Sequence, residues 1–205
     1  MSKMKIPKCR CYIKEDGLIQ LPEREFRTSA IYTQIAEMLG YTTATERVMG
    51  ILCMNEATEF IGHHILTTTD YEKKDALLSE ILLNCAINNS MTLHLISNKP
   101  SEPAIADDRD LDFYEDVRDR LKSFGISLFD YIIAAGDGDK TTAEHQRTVS
   151  CLIMSSLRFT ERHPEEAQKR VEKYLEEHPE EREKYENGKN IRPVGLECQK
   201  DVTVY

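Results

Sequence analysis

No stretch of this 205-residue chain is apolar over anything near the roughly 18 residues that a membrane-crossing helix requires. The opening Met1-Ser2-Lys3-Met4-Lys5-Ile6-Pro7 is basic but has no apolar core behind it, so it does not read as a secretory signal. These two absences give a cytoplasmic chain with no membrane partner as the expectation. Clustered cysteine is also missing. The six cysteines, at 9, 11, 53, 85, 151 and 198, are scattered, and only Cys9-Arg10-Cys11 forms a close pair. No second pair or Cys/His cluster follows at zinc-finger spacing, so reduced thiols are expected rather than a disulfide framework or a Cys-based metal site. Positive charge is in short supply: 27 Lys and Arg stand against 36 Asp and Glu, a net charge of −9. Wrapping nucleic acid needs clustered cations to neutralise phosphate, which leaves only residues 1–14 as a candidate. There Lys3, Lys5, Lys8, Arg10 and Lys14 form either a solvated basic tail or a phosphate-contacting arm. No Gly-rich phosphate loop occurs. Gly136-Asp137-Gly138-Asp139 lacks the closing glutamate and spacing of a calcium loop. Ser97, Ser101 and Ser150 have no His/Asp partner evident in the sequence.

What is present is enough for one substantial core and a small appendage. Hydrophobic residues make up 40% of the chain and charged residues 31%. Residues 9–21 alternate like a hairpin around Glu15-Asp16-Gly17. Thr28-Ser29-Ala30 offers an N-cap for a helix carrying Ile31, Ile35, Met38 and Leu39, which Gly40 stops. The continuous apolar run at 48–54 predicts a buried strand, and 59–66 returns as its hairpin partner. A helical period over 71–89, a strand at 91–96, a helix from Asp107 to Phe124 and a strand at 126–134 follow. Val149, Leu152, Ile153, Ser156 and Leu157 predict one apolar helical stripe over 143–160. Beyond it the chain is mostly charge, with ten acidic and six basic side chains between 161 and 187. His163-Pro164-Glu165-Glu166 recurs as His178-Pro179-Glu180-Glu181, and proline followed by two acids starts a helix. Two short exposed helices are therefore expected at 164–177 and 179–187, with Tyr174 and Leu175 as exposed contact points. Residues 188–205 show no pattern.

The most informative stretch is Ser97-Asn98-Lys99-Pro100-Ser101, which ends the apolar run Thr92-Leu93-His94-Leu95-Ile96, with Asp110 opening a helix eleven residues past Lys99. It resembles the signature of the RadC branch of the JAB/MPN (JAMM) superfamily: a strand, His-Asn-His-Pro-Ser-Gly, a short loop, then Ser-x-x-Asp at a helix start. Asn98, Pro100, Ser101 and Asp110 stand in register, while Ser97 and Lys99 occupy the two histidine positions and Asp107 the loop serine. Phe124-Gly125-Ile126-Ser127-Leu128-Phe129-Asp130-Tyr131-Ile132-Ile133 is similar to the family's closing stretch, with Asp130 matching and Tyr131 in place of a histidine. The likeness covers about residues 28–138.

The resemblance implies a mixed α/β fold: a JAB/MPN-like three-layer domain whose central mixed sheet is flanked by helices. A C-terminal helical charged extension would follow. The expected divisions are a basic segment and hairpin at 1–27, the JAB domain with its packed helix at 28–160 and an acidic tail at 161–205. In the family, two histidines and an aspartate hold zinc, and a glutamate from the hairpin strand is the general base for amide or isopeptide hydrolysis. The resemblance places that glutamate near His63 and His64, where no acid stands. Ser97, Lys99, Ser101, Asp107, Asp110, His63 and His64 are thus expected to line a vestigial pocket with no metal, Asp110 being the one retained ligand position. His94 is three residues before Ser97 on the same strand, so it should face the other side of the sheet. Lys99 either pairs with Asp110, filling part of the vacated volume, or is an ordinary loop lysine beside a first-turn helix acid. The reading that follows is a catalytically inactive domain without cofactor, which binds a protein partner or itself. The alternatives are a divergent zinc hydrolase with unusual ligands, or a DNA-repair or mobile-element accessory protein.

Overall fold

The computed structural model describes residues 29–57, 59–100, 102–135 and 147–186. The readings made for residues 1–27, Ser101, the 136–139 loop and 188–205 lie outside the described residues. Five strands form one sheet in the order β2-β1-β3-β4-β5: β1 Met49–Met54, β2 Phe60–Ile65, β3 Thr92–Lys99, β4 Ser127–Ala135 and β5 Thr148–Ser150. β1 runs antiparallel to both β2 and β3, β3 is parallel to β4, and β5 is antiparallel to β4, so the sheet is mixed.

Each strand feeds two cores because successive side chains leave opposite faces. On one face Met49, Ile51, Cys53, Leu93, Leu95, Tyr131 and Ile133 pack under α2 (Lys74–Asn88), α3 (Asp108–Lys122) and the start of α4 (Cys151–Arg162). On the other, Leu52, Ile96, Ile132 and Ala134 pack under α1 (Ser29–Met38) through Tyr32, Ile35 and Ala36. The three-layer mixed α/β arrangement expected from the sequence is present. Cys53, Cys85 and Cys151 are buried free thiols, as their apolar settings implied. Among the described residues no helix is long and apolar enough to cross a membrane.

Gly50 shows how tightly these layers close. A Cβ there would lie 2.1 Å from the Tyr41 hydroxyl and 2.7 Å from the His64 carbonyl oxygen. The backbone oxygen cannot swing away, so Gly50→Ala is expected to destabilise the fold by about 2 kcal/mol through overpacking. Urea unfolding measures it, and a variant matching the parent would show that β1 and β2 have room to separate.

The region after 147 departs from the expected helix over 143–160. Thr148, Val149 and Ser150 form β5, and α4 begins only at Cys151, with the Ser150 hydroxyl capping the Ile153 amide. Asp130 explains the break. Its buried carboxylate accepts hydrogen bonds from the Ser150 hydroxyl at 2.6 Å and the Leu152 amide at 3.0 Å, so the strand end and helix start are tied to β4. Burial pushes the Asp130 carboxyl up to about 7 against the lowering pull of these donors. The buried side of α4 is Cys151, Leu152 and Ser155, whereas Ile153 and Leu157 face outward, so the predicted stripe is rotated from the true one. Arg158 anchors that side to α3, reaching Asp112 at 2.8 Å and Glu115 at 2.7 Å.

α5 (Pro164–Glu177) and α6 (Pro179–Glu186) follow, each opening at the proline of the repeated His-Pro-Glu-Glu. α5 packs on α4 and α6 on α5. Leu175 is buried with Val171 rather than exposed, because the two share the inward side of α5. Tyr174 is half-buried, its ring 4.5 Å from that of His178.

Candidate functional site

The C-terminal end of β3 and the N-terminus of α3 meet at Asp110. Two residues build the turn between them. Asp107 caps α3 by accepting from the Asp110 amide at 3.0 Å, and the Asp110 carboxylate returns the contact by accepting from the Asp107 amide at 3.0 Å, a capping box made of two aspartates. This fixes the Asp110 carboxylate inward, where it is almost wholly buried.

Lys99, the last residue of β3, places its Nζ 2.6 Å from Asp110 Oδ2 and 3.0 Å from Asp107 Oδ2. The lysine side chain is 12% exposed and that of Asp110 3%. Burial lowers the Lys99 pKa, but the hydrogen bonds and charges of Asp110 and Asp107 outweigh it and hold the group above the usual lysine range. For Asp107, burial pulls its pKa upward and the Lys99 ammonium more than reverses it. Of the two readings of Lys99, the paired one is what the structure contains.

On its other oxygen Asp110 accepts from the Tyr71 hydroxyl at 2.7 Å. The Tyr71 oxygen lies 2.6 Å from that of Tyr131, which lies 2.6 Å from Ser97 Oγ. Each hydroxyl has one proton, so the order is determined: Tyr71 donates to Asp110, Tyr131 must donate to Tyr71, and Ser97 must donate to Tyr131. The result is a buried chain of hydrogen bonds running from Ser97 to a carboxylate neutralised by Lys99. Burial raises both phenols, Tyr131 to about 12 despite the lowering effect of its Ser97 and Tyr71 partners, and Tyr71 further.

One face of the Tyr71 ring stacks on Phe113 at 4.1 Å; over the ring also lies the Arg47 guanidinium, 4.4 Å from the centroid, a cation–π contact. Asn98 supplies the reason Arg47 is there. Its buried side chain accepts from the Val48 amide at 2.7 Å and donates to the carbonyls of Ala44 and Glu46 at 3.2 and 3.0 Å, clasping the segment that carries Arg47.

Of the residues expected to line the pocket, Ser97, Lys99, Asp107 and Asp110 come together and Ser101 lies outside the described residues. His63 and His64 are corrected. They sit on β2, two strand spacings or about 10 Å from β3. His63 shares the face of Leu52, the α1 side, with its Nε2 2.9 Å from the Tyr41 hydroxyl. His64 shares the face of Ile51 but is 2.7 Å from Asn88 Nδ2, at the end of α2. His94 does face away from Ser97, as expected, and is enclosed by the rings of Tyr32, Phe60 and Phe129. Tyr71, Tyr131 and Arg47 were the residues not foreseen. Only the Tyr-for-His exchange at 131 pointed toward them.

The zinc that the resemblance implies does not fit this set of donors. The aspartate's oxygens are engaged by an ammonium, a phenol and a backbone amide. The neighbouring groups are hydroxyls, cations and the Asp107 carboxylate, which is itself paired with Lys99 and caps α3, rather than imidazoles or thiolates. Among the described residues no group of three or more His, Cys, Asp or Glu side chains comes together to hold a metal ion.

A family model described as the RadC-like JAB domain matches residues 27–147, more than half of the chain. No curated protein matches the chain.

Proposed function

Because the chain belongs to the RadC-like JAB domain family, we propose that it is a non-hydrolytic member whose role is to bind, as an interaction or scaffold module. The observation that carries this reading is the Lys99 ammonium 2.6 Å from Asp110, at a position the family resemblance gives to a zinc ligand. A cation within hydrogen-bond distance of the remaining ligand carboxylate opposes a dication by charge and by volume. The Ser97–Tyr131–Tyr71 chain uses the other carboxylate oxygen, so the buried charge is compensated without metal. The exchange leaves a scaffold whose surfaces remain available for partners.

Elemental analysis of the full chain after dialysis against zinc tests this. The expected result is zinc well below one ion per chain, unchanged in Asp110→Asn, with no cleavage of peptide or isopeptide substrates. One zinc per chain that disappears in Asp110→Asn, accompanied by hydrolysis, would overturn the reading in favour of a divergent metallo-hydrolase.

A further inference from the structure

The buried side of α2 is Leu77, Ile81 and Cys85, and it packs in the core that also takes Met49, Ile51 and Cys53 of β1. The last member of each row is a thiol, and the two thiols hydrogen-bond to one another. Ser90 holds the rows in this register. Its amide donates to the Cys85 carbonyl at 2.9 Å, and its hydroxyl donates to the Met54 carbonyl at 2.8 Å and accepts from the Met54 amide at 3.1 Å. One residue thus ties the end of α2 to the end of β1 beside the thiol pair.

The two sulfurs are not equivalent. The hydrogen bond from Cys85 pulls the Cys53 pKa below the usual thiol value, against the raising effect of burial, and Ser90 adds to the pull. The same bond, together with burial, pushes Cys85 up. Cys85 is therefore the donor, and Cys53 is the sulfur that becomes a thiolate, the form that reacts with oxidants. Cys151, at the start of α4, differs: burial is the main influence there and raises its thiol. Access comes from the position of the pair. Cys85 lies in the last turn of α2, and Cys53 precedes the last residue of β1, at the register shift against β2. Fraying of that turn admits a small oxidant without opening the rest of the core.

We propose that Cys53 and Cys85 are an oxidisable dithiol, which hydrogen peroxide closes into a reversible disulfide between β1 and α2. The Cys53 thiolate attacks one peroxide oxygen, the O–O bond breaks, and hydroxide leaves with the bonding pair, so that Cys53 becomes a sulfenic acid. The Cys85 sulfur then attacks the Cys53 sulfur. The S–S bond forms, the S–O bond breaks, and the departing oxygen takes the Cys85 proton and leaves as water. The proton that Cys53 gave up converts the first hydroxide to a second water. Two thiols are oxidised and one peroxide is reduced. Sulfurs in hydrogen-bond contact stand further apart than the roughly 2.05 Å of a disulfide, so closure must draw the last turn of α2 onto β1. A bond made under that strain is readily reduced again, which suits a switch rather than a permanent staple. The proposal is independent of the non-hydrolytic reading, since it uses neither Asp110 nor its neighbours.

The test treats the reduced, folded full chain with hydrogen peroxide, alkylates the remaining thiols in urea and maps tryptic peptides by mass. The expected product is a pair of peptides joined through Cys53 and Cys85, lighter than the free peptides by the two thiol hydrogens and separated again by dithiothreitol. Cys53 should be consumed about tenfold faster than Cys151, and Cys85→Ala should remove most of that advantage by taking away the hydrogen bond that favours the thiolate. Peroxide that oxidises Cys9, Cys11 or Cys198 without producing the Cys53–Cys85 link overturns the proposal. A link that forms only in urea also overturns it, because the fold would then be keeping the sulfurs apart. Equal consumption of Cys53 and Cys151 in the parent does the same, and that comparison stands even if Cys85→Ala does not fold.

Discussion

Lys99→Met should unfold at markedly lower urea than the parent, with a stability loss of about 3 kcal/mol, the usual result of stranding one member of a buried ion pair. Methionine keeps the length and apolar stem of lysine and removes only the ammonium. Asp110, with its side chain 3% exposed, then retains the Tyr71 phenol, the Asp107 amide and the through-space pull of the Arg47 guanidinium, but no directly paired counter-charge. The informative partner is Asp110→Asn. In the parent background it is destabilising, because the Lys99 ammonium loses its nearest counter-charge and one of the two acceptor oxygens at this position becomes an NH2 donor. In the Lys99→Met background the same change removes the stranded charge and should raise stability. A reversal of sign amounts to a coupling of about 2 kcal/mol between the two positions, which a double-mutant cycle resolves. Additive effects, or a Lys99→Met variant within about 0.5 kcal/mol of the parent as at an ordinary surface site, would show that the pair is incidental.

The Lys99–Asp110 pair was legible because it depends on two local facts, a strand end and a helix start eleven residues apart, and the resemblance supplied their convergence. The strands β1, β3 and β4 were legible for a similar reason. They are buried on both faces, so their apolar runs stand out from a highly charged chain. What was not legible lies at long range. Tyr71 and Tyr131 are separated by 60 residues and meet because the turn before α2 hangs over β4. Nothing in either one's neighbours announces the other. Arg47 reads as a loop cation until Asn98 is seen clasping its segment. β5 is three residues long, too short for alternation to register, and Val149 was absorbed into the period of the helix behind it. The error on α4 has the same origin. Ile153 and Leu157 satisfy a helical spacing as well as Leu152 and Ser155 do. What settles the buried side is the polar anchoring through Arg158 and Asp130, which hydropathy does not weigh.

His94 should impose a pH dependence that its replacement abolishes. The ring is buried among Tyr32, Phe60 and Phe129, with centroids at 4.9 to 5.7 Å, and its Nδ1 has no hydrogen-bond partner. Burial pulls its pKa down to about 3. In the unfolded chain it titrates near 6.5. Above that value the ring is neutral in both states and its contribution is intact. As pH falls below 6.5 the unfolded chain gains a proton that the folded protein does not, and stability drops by about 1.4 kcal/mol per pH unit until about pH 3. His63, lowered to about 4 by burial and by its neighbour His64, adds a slope of the same sign. Asp130, raised to about 7, opposes it. Between pH 7 and its unfolded value near 3.8 the folded state holds a proton the unfolded chain has lost, so acidification favours folding through that group. The parent's curve is a sum of these terms, and only a difference isolates one of them. His94→Phe keeps an aromatic ring in the cage and removes both the titration and the unpartnered nitrogen. Its stability at pH 7.5 should equal or exceed the parent's. By pH 4.5 its advantage should have grown by about 3 kcal/mol, one proton over two pH units. Urea unfolding of the two proteins across that interval decides it. Parallel curves would mean that the folded protein admits a proton to His94, and that the aromatic enclosure is open to water.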